Sequence, residues 1–227
     1  VGGASAYTGT ITQAAGVTVT VGTSDYIQAS GTFTGGDSAI TFNDAFSLSG
    51  GTFTATSGTI TAKGNWTKSG GTLNHNSGTV AFGRDTVDNA STLTGSHTLH
   101  HVTFTNDEWV GVTWTVASGT TLTVNGTLSL SSPTSPVTLN TGTIAVTGPI
   151  VVDSNDYQGT ATLLINGTGN QTFTGSHTRT AGALPYVTIN KPSGTLTLVG
   201  TLRAWGNWTY TPGMGGTSKD SWCHRGC

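Results

Sequence analysis

The chain has 227 residues, a formal net charge of −2 and only 8% charged residues, while glycine (34), threonine (48) and serine (21) make up 45% of it. The near absence of Glu, Lys and Arg argues against a helical protein, and the charge balance argues against a basic nucleic-acid binder or a polybasic membrane-surface module. No run of 18 apolar residues occurs, so no transmembrane helix is expected.

Taken in chain order, the elements are short and of one kind. Residues 17–21 alternate as Val17, Thr18, Val19, Thr20 and Val21, the period-two mark of a half-buried strand. Starts of the form Gly-Thr-apolar then recur at Gly31, Gly51, Gly58, Gly71 and Gly78. Gly64-Asn65-Trp66-Thr67 lies among them, and Gly95-Ser96-His97-Thr98 follows, with strand-like segments on both sides. Further alternating runs begin at Thr121, Gly126 and Gly142. The Gly-Ser-His-Thr tetrapeptide returns at 175–178, Gly-Thr-Leu at 194–196 and Gly-Asn-Trp-Thr at 206–209. Glycine supplies the positive-φ corner and threonine opens the next strand. After 210 the pattern gives way to a polar tail that holds both cysteines, Cys223 and Cys227.

Turn, short strand, turn, short strand fits either a β-sandwich or a parallel β-solenoid. Hairpin signals are few (Asn125-Gly126 and Asn166-Gly167), and immunoglobulin signatures are missing, which favours the solenoid. At roughly 20 residues per coil the chain makes about ten coils. The reading is one all-β solenoid domain over 1–210, with 1–22 as an N-terminal cap or joining strand and 211–227 as a tail or cap.

The run from Gly64-Asn65-Trp66-Thr67 through Gly70-Gly71-Thr72-Leu73, Ser77-Gly78-Thr79-Val80-Ala81-Phe82-Gly83 and Val102-Thr103-Phe104 resembles a known repeat. It is similar to the G-N-W-T / G-T-V-x-F-x-G arrays of large secreted bacterial surface proteins. Residues 165–175 match the middle part of a second cycle. The resemblance covers roughly 50–210 and implies a right-handed parallel β-helix like adhesin stalks and autotransporter passengers. It carries over no catalytic residue set.

Candidate chemistry is sparse. Asp85 with Asp88 and Asp153 with Asp156 are spaced as acid–base or calcium pairs, but their turn-like settings suit local hydrogen bonding. Gly35-Gly36-Asp37 is a lone partial match to calcium-binding solenoid repeats. In a strand, His97 and His101 would share a face, and a metal would need a third ligand from another coil. The recurrence of His97 as His177 instead points to exposed structural turns. Exposed tryptophans among Trp66, Trp109, Trp114, Trp205, Trp208 and Trp222 would stack on sugars, whereas the matching repeat positions of Trp66 and Trp208 indicate the core. Thr-x-Thr triplets such as Thr32-Phe33-Thr34 place two hydroxyls outward, but an ice-binding array needs strict coil alignment and the spacings look irregular.

These features lead to an expected extracellular structural protein: a stalk, or a subunit of a filament joined head to tail. Val17, Val19, Val21 and Trp222 are the expected interface residues, and Cys223 and Cys227 are expected to form a local disulfide in an oxidising compartment, with a disulfide between chains or free thiols as the alternatives. The start at Val1 is read as a secreted chain that has lost its leader, or as a fragment. A glycan-binding adhesin is the second reading and a polysaccharide-active enzyme the third. No enzyme activity, cofactor, resident metal or nucleic-acid partner is expected. The expected partners are further copies of the chain, a larger surface protein, or glycans.

Overall fold

Alternation along each short strand decides how this chain collapses. One apolar side chain between two threonines gives a strand with one greasy face, and such a strand is stable only when stacked around a shared core. The computed structural model describes residues 8–83, 89–106, 109–133, 135–153, 156–178 and 183–211. Every paired strand among them is parallel and none of the described residues is helical, so the fold is a parallel β-solenoid.

Three sheets run along the stack. The first has four strands: Thr10–Thr12, Thr32–Thr34, Thr52–Thr54 and Thr72–Asn74. The second has nine, from Val19–Val21 to Leu196–Thr201, and therefore spans eight full turns, close to the ten expected. The third begins at Tyr26–Gln28 and ends at Trp208–Tyr210.

From Tyr26 to Val80 the coils keep a strict 20-residue period: Thr32 pairs with Thr52 and Thr52 with Thr72, while Tyr26 aligns with Phe46 and Phe46 with Trp66. The outward threonines of the first sheet are thus in register over four coils, with Asn74 taking the eighth position, contrary to the irregularity expected there. Beyond Val80 the period loosens, because Val80 aligns with Val102, Val102 with Leu128 and Leu128 with Ile150. In this half the strand Val112–Val124 is 13 residues long and bends around a corner, with a register shift between Val116 and Thr121.

The core is a file of aromatic and branched side chains. Tyr26 stacks on Phe46 at 5.4 Å, Phe46 on Trp66 at 4.0 Å, and Phe33 on Phe53 at 5.0 Å. A sharp corner joins the third sheet to the first. At Gly51 φ is +72°, and a Cβ there would lie 2.3 Å from the Gly31 carbonyl oxygen, so only glycine lets successive corners nest.

Candidate functional site

The two ends of the stack are where the repeating physics stops. In the first coil, Val19 and Val21 align with the buried Ile40 and Phe42, so both face the core. They are only partly covered, and Val17, outside the strand, is exposed. Ile11 aligns with the buried Phe33 yet is 55% exposed. Gln13 secures this coil: its amide donates to the Val17 carbonyl at 2.6 Å and the Ser38 carbonyl at 3.2 Å, and its oxygen accepts from the Gly36 N–H at 2.9 Å. Tyr26 donates its hydroxyl to Gln28 at 2.8 Å, and burial pushes that phenol up to about 12.

The last coil mirrors the first. Leu198 aligns with the buried Phe173 and is 40% exposed, and Trp208 aligns with the buried Val187 and is 37% exposed. The Trp208 ring lies 6.2 Å from Phe173, nearly parallel to it. Trp66 and Trp208 both face the core, as their shared motif suggests, but among the described residues only Trp66 has coils on both sides. Trp222, Cys223 and Cys227 lie outside the described residues.

The histidines separate in a way the sequence does not show. His97 is a buried strand residue, contrary to the exposed-turn expectation. Its Nε2 accepts from the Trp66 indole N–H at 3.0 Å, and its Nδ1 lies 2.6 Å from the Gly95 carbonyl oxygen. The neutral ring therefore carries its proton on Nδ1, and burial holds its pKa down at about 4. His177 occupies a different corner, after the second-sheet strand Gln171–Ser176, so the two tetrapeptides are not structural equivalents. Its Nδ1 accepts from the Arg203 N–H at 3.0 Å; its Nε2 is buried without a hydrogen bond among the described residues.

His97 and His101 do not share a face. His101 instead packs against His100, with ring centroids 4.3 Å apart, and His75 from the previous coil stacks on His100 at 5.3 Å. His75 has no sequence cue because its neighbours come from another turn. Among the described residues no group of three His, Cys, Asp or Glu side chains is placed to hold a metal ion.

The acidic residues serve turns. Asp37 accepts from the Gly16 N–H at 2.8 Å and from the Ser38 hydroxyl, and these bonds hold its carboxyl below the ordinary range. Asp153 accepts from the Ser132 N–H at 2.6 Å, and Asp156 forms an isolated bridge with Ala183. Asp85, Asp88, Asp107 and Glu108 lie outside the described residues.

A buried polar knot went unnoticed in the sequence. Lys191 donates to the carbonyls of Gly167 at 2.7 Å and Gly169 at 2.9 Å and to Gln171 Oε1 at 2.6 Å. Gln171 donates to the carbonyls of Val146 at 3.1 Å and Gly148 at 2.9 Å, and it accepts from the Gly167 N–H at 3.1 Å. The two side chains tie together three coils that have no regular ladder at this corner. Gln171→Leu keeps the volume but strands these partners. It should destabilise the chain by about 3 kcal/mol, since each buried group left unpaired costs about 1–3 kcal/mol; a urea-unfolding midpoint unchanged from wild type would contradict this role.

No family model, curated protein or solved structure matches the chain.

Proposed function

We propose that this chain is an extracellular structural protein, a filament subunit or stalk segment that joins further coils end to end. The observation that carries this reading is the pair of open cross-sections. Core-facing Ile11, Val19 and Val21 at one end and Leu198 and Trp208 at the other are partly or largely exposed, on strands that stand last in their sheets among the described residues. Because all the ladders are parallel, the first coil of one copy extends the last coil of another in the same sense. That is a heterologous contact, and it propagates as an open assembly. A net charge of −2 sets little repulsion against it. The resemblance of the repeats to bacterial surface stalks supports the same job. The titratable groups described above are engaged in turns, strands and the buried knot, which favours a structural role over a catalytic one.

Electron microscopy of the purified chain tests this. Filaments of constant width are expected, and both Val19→Lys and Leu198→Lys should abolish them while leaving the β-sheet circular dichroism unchanged. Loss of filaments on reduction would give Cys223 or Cys227 an intermolecular role. Discrete particles one solenoid long, at all concentrations, would overturn self-assembly of this chain.

A further inference from the structure

Most of the outer surface is paved with threonine and serine, which makes one departure conspicuous. The file Thr121, Thr143 and Thr162 continues outward-facing across three turns, and its next member is Tyr186. The Tyr186 ring is exposed on the side of the stack, and Trp205, 68% exposed, lies near it across a groove of about 510 Å³. Two exposed aromatic rings cost solvation that a structural surface does not need, and they are the groups that stack on the apolar face of a sugar ring.

The rest of the groove suits the same ligand. Gln158 and Asn207 line it, and neither side-chain amide makes a hydrogen bond among the described residues. The other three glutamines of the chain, Gln13, Gln28 and Gln171, are buried and bonded to backbone, so Gln158 is the exception. A free amide offers both donor and acceptor, as vicinal hydroxyls require. Among the described residues no charged side chain lines the groove. Its floor is bare backbone at two points. Gly159 has φ +126° and no room for a Cβ, which would lie 2.1 Å from the Leu139 carbonyl oxygen; at Gly206 a Cβ would strike the Tyr186 ring at 2.1 Å. Arg203 stands 5.2 Å from the Trp205 ring centroid and steadies that ring.

We propose that the groove between Tyr186 and Trp205 binds a neutral saccharide, with the rings stacking on a pyranose and the Gln158 and Asn207 amides reading its hydroxyls. The groove runs along the side of the stack, since Gln158, Tyr186 and Asn207 come from successive turns. It opens to the side of the stack, with Trp205 and Asn207 in the last coil, next to the end-to-end joint.

The test is titration of the full-length chain with maltotriose, cellotriose, chitotriose and mannotriose, followed by calorimetry and tryptophan fluorescence. At least one should bind saturably in the millimolar range or tighter. Trp205→Ala and Gln158→Ala should each weaken binding at least tenfold, while Trp109→Ala, which removes an exposed ring outside the groove, should not change it. Circular dichroism establishes that each variant is folded. The proposal is overturned if none of the four trisaccharides binds, or if Trp205→Ala binds as wild type does. Leu198→Lys, unable to assemble, should bind as wild type does, which separates this result from the fate of the filament.

Discussion

Trp66→Ala is expected to cost the coil stack about 3–5 kcal/mol, the range for emptying a tryptophan site in a packed core. Trp66 is fully buried and packs on Phe46 in the preceding coil and Phe82 in the following one, at 4.0 and 5.7 Å between ring centroids. Short three-residue strands contribute few ladder hydrogen bonds per coil, so side-chain stacking between coils carries much of the cohesion. The substitution also orphans His97 Nε2, which accepts the Trp66 indole N–H. Trp66→Phe separates the two effects. It keeps a stacked ring but leaves the His97 nitrogen unpaired, at about 1–3 kcal/mol. Urea unfolding followed by circular dichroism distinguishes them, and equal midpoints for wild type and Trp66→Ala would refute the packing argument.

Acid should loosen the same region. His97 is held at about 4 in the folded chain, against an ordinary value of 6.5, chiefly because burial disfavours the imidazolium. Between these values the unfolded chain binds the proton and the folded chain does not. The stabilisation is therefore complete above pH 6.5 and is lost progressively as pH falls from 6.5 to about 4, for a total of about 3 kcal/mol. Protonation would add a hydrogen on Nε2, directed at the Trp66 N–H. Burial lowers His75, His101 and His177 as well, so they add to the loss in the same direction. Denaturant midpoints at pH 7.5, 5.5 and 4.5 should fall steeply for wild type and less for His97→Gln. Parallel pH profiles for the two proteins would rule out His97 as the principal sensor.

Much of the architecture was legible before any coordinates. The alternation of residues 17–21 and of Thr32-Phe33-Thr34 is a local property: a period of two names the buried face whatever the neighbours are. Corner glycines such as Gly51 mark where φ must be positive, and that too is local. Together they were enough for an all-β stack of parallel coils.

The tertiary structure alone decided which residues meet, because contact between coils depends on register, and register depends on the length of every intervening loop. A 20-residue period brings Phe46 onto Trp66, but the span from Trp66 to Leu93 is longer, and it delivers His97 to the Trp66 indole. The two Gly-Ser-His-Thr copies read alike and still fall at different corners, one before a strand and one at a strand's end. The same accumulation of unequal turns unites His75 with His100, and Gln158 with Tyr186 and Trp205. Residue types and alternation determined that this chain forms coils. The sum of its loop lengths determined what each coil lays against the next.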